Sequence, residues 1–343
     1  MPKNAAPHPR RPRYRGKNPR RFEEKYKEHD PARYAATVEK VLAAGKTPAG
    51  SHRPIMVAEM LEILSPQPGE IAVDCTLGHG GHAQALLERL LPGGHLLGLD
   101  VDPLELPKTE TRLRALGFGP ETFTARRSNF AGLPQALAQA GLGGADLALA
   151  DLGASSMQFD DPTRGFSLKH EGPLDMRMNP NRGQPAAALL AKMSPATLEE
   201  LLRDNADEPH AKQLAEVLAG KTITNTLSLA RVVRTALARV KEEDRELSVR
   251  RVFQALRIAV NDEFAALDAL LRVLPLSLNA GGRVAILTFH SGEDRRVKKA
   301  FQAGAREGVY DTIADEVTRP SAAERHANPR STSAKLRWAR RST

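Results

Sequence analysis

Between residues 71 and 153 the chain alternates four short apolar runs with three stretches of helical spacing. The runs are "IAVDC" (71–75), "HLLGLDVD" (95–102), "TFTARRSNF" (122–130) and "ADLALADLG" (145–153). Between them lie "HAQALLERLL" (82–91), "ETRLRALG" (110–117) and "LPQALAQAG" (133–141), each closed by glycine or by Pro-Gly-Gly. Strands alternating with helices of this length predict an α/β fold, a parallel sheet covered on both faces.

The alternation stops after Gly153. From about 159 to 253 only short helical patterns remain, such as "SPATLEELLRDN", "HAKQLAEVLAG" and "TLSLARVVRTALARV". A longer helix is expected over 252–274, with Leu256, Val260, Phe264, Leu267 and Leu271 along one side. "GGRVAILTFH" (281–290) then reads as a strand again. The expected organisation is a sheet domain from 51–158 and 254–343, interrupted by a helical insert at 159–253. Residues 1–50 read as a basic, Pro/Arg-rich, partly disordered extension, with a short helix starting after Asp30.

Charge follows this division. Residues 1–28 carry ten Lys/Arg against three Glu, and residues 319–343 carry seven against one. The whole chain is +9, so the stretch between is mildly acidic. Basic ends suit a polyanion, whose condensed counterions are released on contact. A single cysteine, Cys75, excludes an internal disulfide and is expected as a small core residue in a reducing compartment. No apolar run approaches the roughly 20 residues of a membrane helix, and no apolar segment follows the basic N-terminus. A cytoplasmic protein without a membrane partner is expected.

The turn after the first strand, "VDCTLGHGGHA" (73–83), is built for close approach of a ligand to backbone. Its Gly78-x-Gly80-x-x-Ala83 spacing, with Asp100 twenty residues past Gly80, admits a nicotinamide dinucleotide. Three acids argue for a cationic ligand instead. Asp74, Asp100 (with Asp102 close behind) and Asp151 end the first, second and fourth of these parallel strands, and carboxylates there would oppose a diphosphate but suit a sulfonium and an amino group. S-adenosylmethionine meets that description. Asp100 also stands where a ribose hydroxyl would be accepted. His79 and His82 lack a supporting Cys or His cluster, so no metal site is expected.

The segment "DLGASSMQFDDPTRGFSLKHEGPLDMRMNPNRGQ" (151–184) resembles the RsmH family (formerly MraW). These bacterial enzymes methylate the exocyclic amine of a cytosine in 16S ribosomal RNA. The resemblance also covers "HRPIMVAEML" from residue 52, "GHGGHA", "VFQALRIAVNDE" (252–263), "FHSGEDRRVKKAF" (289–301) and "NPRSTSAKLRWAR" (328–340). It implies a class I, Rossmann-like methyltransferase sheet with a helical substrate-recognition insert. It implies that S-adenosylmethionine is held by Gly80, Gly81 and His82 at the methionine end, by Asp100 at the ribose and by Phe130 at the adenine. Asp151 and Gln158 would close the pocket. The implied partner is 16S ribosomal RNA within a small subunit, at a decoding-region cytosine; a homodimer is left open. Gly292 stands where the family usually has an apolar residue, "NADEPHAKQLA" (205–215) differs from the common pattern, and the N-terminal extension is absent from shorter members.

The amine of cytosine is a weak nucleophile, because its lone pair is delocalised into the ring. Catalysis therefore requires alignment and acceptors for the amine hydrogens. The expected acceptors are Asp151 and the carbonyls of Leu152 and Gly153. His290, at the end of a late strand, is the second expected catalytic residue, stacking on or bonding to the base. The Asp175–Met178 stretch either folds over the donor or base, with Arg177 toward phosphate, or is a structural loop. Lys and Arg in "EDRRVKK" (293–299), in the insert and at both ends are expected to grip RNA, while 4% aromatics argue against a base-stacking platform. A nicotinamide oxidoreductase and a catalytically inactive RNA-binding protein are the alternatives.

Overall fold

The computed structural model describes residues 54–168 and 170–343. The basic extension and the helix expected after Asp30 lie outside the described residues. Strands β1 (Ile71–Asp74), β2 (His95–Asp100), β3 (Phe123–Arg127), β4 (Ala145–Asp151), β5 (Leu278–Thr288), β6 (Tyr310–Ile313) and β7 (Lys335–Arg341) form one sheet. Its order is β3-β2-β1-β4-β5-β7-β6. The first five strands are parallel, and β7 runs antiparallel to both β5 and β6.

Helices α1 (Val57–Leu64), α2 (Gly81–Leu90), α3 (Leu106–Ala115) and α4 (Leu133–Gln139) accompany the first four strands. Between β4 and β5 the chain is helical: α5 (Ser156–Asp160), α6 (Ala186–Lys192), α7 (Pro195–Ala206), α8 (Ala211–Leu218), α9 (Thr226–Ala236), α10 (Glu242–Asn261) and α11 (Glu263–Ser277). Helices α12 (Ser291–Arg306) and α13 (Ala322–Ala327) complete the chain. Among the described residues no helix is long and apolar enough to cross a membrane.

Successive side chains on the strands point to opposite faces, so two apolar layers sandwich the sheet. Ala72, Leu96 and Leu149 meet α1, α2 and α3 on one face. Val73, Leu97, Leu99 and Ala148 meet α4, α11 and α12 on the other. Leu96, Leu97 and Leu99 are fully buried, which is why β2 reads as continuously apolar. Each such leucine contributes about 1.5–3 kcal/mol. A third core lies wholly within the helical stretch, built on Leu198, Leu202, Leu214, Leu229, Val252 and Leu256.

One expectation needs correction, and a second gains structural detail. The single helix over 252–274 is two helices: α10 starts ten residues earlier, and Asp262 breaks the run in the left-handed region at φ 50°. Apolar periodicity continues through the break because both helices pack on core, so the pattern hides it. The basic C-terminal end is expected to grip RNA, and within it "KLRWARR" is strand β7, inside the sheet. Its cations are used internally. Arg337 and Lys335 both bind Asp294 (2.6 and 2.8 Å), Arg340 binds Asp311 (2.8 Å), and Arg341 donates to the Leu278 carbonyl.

Candidate functional site

From β1 the chain crosses to β2 and β3 on one side, while β4 and β5 lie on the other. At such a reversal the connections leave in opposite directions and open a crevice at the C-terminal strand ends. The glycine turn fills its floor. Gly78 and Gly80 have φ +47° and +68°, a region that favours glycine. A Cβ at Gly80 would lie 2.9 Å from Thr109 Cγ2, so α3 can approach only a glycine there. The Thr109 hydroxyl donates to Gly78 O (2.5 Å) and the Arg112 guanidinium to His79 O, which pins the turn to α3. Gly81 then starts α2.

Three carboxylates surround this turn. Asp74, only 1% exposed, accepts from the Thr76 amide (3.0 Å). Asp100 accepts from the Gly78 amide (2.7 Å) and the Asp102 amide (2.8 Å). Asp151 is set by the bond from its own amide to Thr76 Oγ1 (2.6 Å), and its Oδ1 is buried without a hydrogen-bond partner. Burial pushes Asp74 and Asp100 up to about 6 and Asp151 up to about 7; Asp151 and Asp100 add repulsion at Asp74, and Glu293 adds it at Asp151. Among the described residues no Lys or Arg forms an ion pair with any of the three.

His82 offsets them only in part, lowering the pKa of Asp74 while burial lowers its own. Its Nε2 lies 2.9 Å from the Ile55 carbonyl, which can only accept, so Nε2 carries the proton. Nδ1 then turns its lone pair toward Asp151 Oδ2, 3.6 Å away, and burial lowers the imidazole pKa. The result is a buried cluster of carboxylates with excess negative character. A cation bound there would relieve the repulsion, so the residues present fit the sulfonium and ammonium of S-adenosylmethionine and disfavour a diphosphate.

The other residues singled out in the sequence fall around the same edge. Phe130 is half-buried on the segment leaving β3, where the Ser128 amide donates to the Asp100 carbonyl (3.0 Å). Gln158 belongs to a capping box with Ser155 at the start of α5, and its amide reaches Asp102 Oδ2 (2.8 Å). Asp102 is thus a correction: read as part of the acidic rim, it is neutralised by Arg164 at 2.9 Å. Arg177, placed toward phosphate, forms a two-pronged pair with Asp175 (2.8 and 2.7 Å).

His290 caps α12 beside β4, whose following residue Leu152 donates to Leu287 O (3.1 Å). Its Nε2 lies 3.1 Å from Glu293 Oε1 without the alignment of a hydrogen bond. Burial alone would raise Glu293, but His290 and Arg257 hold it below the usual carboxylate range. Ligand atoms of Glu263, His290 and Glu293 lie within 4.8 Å of one another, yet Arg257 already supplies positive charge, binding both oxygens of Glu263 at 2.8 Å. Beside this cluster a Cβ at Gly292 would meet Phe264 Cζ at 2.6 Å; the phenyl ring occupies the space that an apolar residue at 292 would need.

Thr76, Glu293, Arg257 and Arg164 were missed in the sequence. All four lie in quoted segments, Arg164 in the one over 151–184, but threonine and ion-pair partners carry no ligand signature of their own.

Five parallel strands, an antiparallel β7-β6 edge and a cation-seeking crevice at the strand ends define a class I methyltransferase, whose methyl donor is S-adenosylmethionine. The chain belongs to the MraW methylase family, whose model matches residues 49–342. A ribosomal RNA small subunit methyltransferase H 1 from Lachnoclostridium phytofermentans is 48% identical, over 97% of this chain and 93% of its own. A methyltransferase H 2 from Alkaliphilus metalliredigens is 50% identical, over 96% and 97%. Coverage this complete takes in most of residues 1–50, so the extension is shared with these relatives. A methyltransferase H from Myxococcus xanthus, 41% identical, covers 83% of the chain. Among solved structures, an rRNA methylase from Streptococcus thermophilus superposes at TM-score 0.39 and 13% identity, over 84% of this chain and 94% of its own. So loose a superposition carries no weight.

Proposed function

We propose that the chain methylates the exocyclic N4 amine of a cytosine in the decoding region of 16S ribosomal RNA, within a small subunit. The relatives' names supply the RNA class, and the observation that carries the chemistry is the buried trio Asp74, Asp100 and Asp151 around the glycine turn, none paired with a Lys or Arg among the described residues. Gly80, Gly81 and His82 would hold the donor's methionine end, Asp100 the ribose and Phe130 the adenine, with Gln158 closing the edge. Bound there, S-adenosylmethionine would supply a methyl group on a positively charged sulfur.

Asp151 is the acceptor for an amine hydrogen. Its Oδ1 lacks a partner, and a carboxyl titrating near neutrality can take a proton from the amine as the nitrogen becomes tetrahedral. His290, with one face against Phe264 (centroids 5.8 Å apart), lies on the neighbouring strand end, suited to orienting the base. The helical stretch between β4 and β5 is the substrate-recognition insert, and its exposed Arg231, with Lys298 and Lys299 of α12, would meet phosphates. A base stacked in RNA must be splayed out first, at about a few kcal/mol.

The test is methyl transfer from labelled S-adenosylmethionine to small subunits and to naked 16S RNA, with nucleosides identified by mass. N4-methylcytidine at one decoding-region position is expected. Label on another base or none at all would refute the assignment. Stabilisation by NAD, and not by S-adenosylmethionine, in a thermal shift would favour the oxidoreductase.

A further inference from the structure

We infer that Arg164 is a positioning residue for methyl transfer, holding the Asp175–Met178 segment to the donor side of the site; the inference rests on the methyltransferase reading above. Arg164 ends the short turn Pro162–Arg164, and its side chain is 8% exposed. One guanidinium nitrogen binds Asp102 Oδ2 at 2.9 Å. Another donates to the carbonyls of Met178 (2.8 Å) and Arg177 (3.2 Å). The backbone carbonyl of Arg164 accepts from the Met176 amide (3.1 Å). Main chain and side chain therefore grip three consecutive residues, Met176 to Met178.

The opposite side of that segment is held by α10. Asn261, the last residue of α10, accepts from the Met178 amide (2.7 Å) and donates to the Met176 carbonyl (2.8 Å). Met176 itself sits at φ 65°, in the left-handed region, and is 1% exposed. A β-unbranched but bulky residue stays in that conformation only where its surroundings over-determine it. Gly165, next to Arg164, allows the close approach: a Cβ there would lie 2.0 Å from the Pro173 carbonyl oxygen.

The inner end of the contact is the donor strand. Asp102 donates its amide to Asp100, which in turn accepts from Gly78 of the glycine turn. A continuous polar path therefore runs from the turn through Asp100, Asp102 and Arg164 to Met176–Met178, and through Asn261 to the end of α10. Only a planar fork can meet a carboxylate and two carbonyls together; a lysine ammonium replaces the charge but not the geometry. The segment thereby joins the donor half of the site to the half assigned to RNA.

The test uses Arg164→Lys in the full chain, assayed on small subunits with active sites counted by donor titration. Expected are a turnover per active site lowered at least tenfold, donor affinity within threefold of wild type, and faster hydrogen exchange at the Met176 and Met178 amides. A purely structural role would reduce the number of active sites and leave turnover per site unchanged. Asn261→Ala releases the same segment without touching the buried ion pair, so it must also lower turnover and free the Met178 amide if Arg164→Lys fails to fold. Wild-type turnover per site in a folded variant, or unaltered exchange at both amides, would overturn the inference. A wild-type chain that transfers no methyl group to RNA would instead overturn the functional reading beneath it.

Discussion

Asp100 and Asp102 stand two residues apart at the end of the same strand and are treated oppositely. Asp100, with Asp74 and Asp151, is met by backbone amides and the His82 imidazole, and among the described residues no Lys or Arg pairs with any of them. Asp102 is closed off by Arg164 and Gln158, as Asp207 is by Arg295 and Asp294 by Arg337 and Lys335. The acids that join parts of the fold have their cations built in. Those around the glycine turn do not, and that difference separates a ligand site from a joint more sharply than residue type does.

Substitutions at the two kinds of aspartate should therefore move stability and function in opposite directions. The largest effect is expected at the joint. Asp102→Ala leaves Arg164 buried and unpaired, which costs about 3–5 kcal/mol; chemical denaturation would show it, and a loss below about 1 kcal/mol would place Asp102 with the other group. Asp151→Asn should lower turnover roughly 10²-fold, the scale of losing one positioned charge-stabilising group. At pH 8 the same variant without ligand should melt above wild type, since it removes a buried charge; a lower melting point would make Asp151 structural. Asp100→Ala should weaken donor binding at least tenfold, about 1.4 kcal/mol, and unchanged affinity by calorimetry would remove its ribose role. Arg295→Ala, breaking the exposed pair with Asp207, should cost only about 0–1 kcal/mol, a loss that vanishes in high salt.

The parallel half of the sheet was legible because each inner strand is apolar on both faces and each turn is marked by glycine or proline. "HLLGLD" could be little else. The edge was not: in β7 the apolar Leu336, Trp338 and Ala339 alternate with cations, and nothing local shows that Arg337 is buried against Asp294 more than forty residues away. Of the candidate site, the glycine turn and the strand-end acids could be read directly, since both follow from where a parallel strand stops. The division of those acids could not, because Asp102 finds Arg164 only through the fold. The break at Asp262 was hidden by apolar spacing that runs on unbroken into the next helix.

Proton release on donor binding offers the most direct test that the strand-end acids await a cation. Their pKa values are raised in the free protein, from an ordinary 3.8 to about 6–7. Each therefore favours the ligand-free fold at low pH, and that contribution is lost as pH rises through the raised value. A bound cation lowers those values, so binding must release protons. Calorimetry of S-adenosylmethionine binding in buffers of different ionisation enthalpy should give net proton release near pH 6, and affinity should tighten from pH 5 to pH 8. Affinity that is flat across that range, with no proton exchanged, would contradict the account.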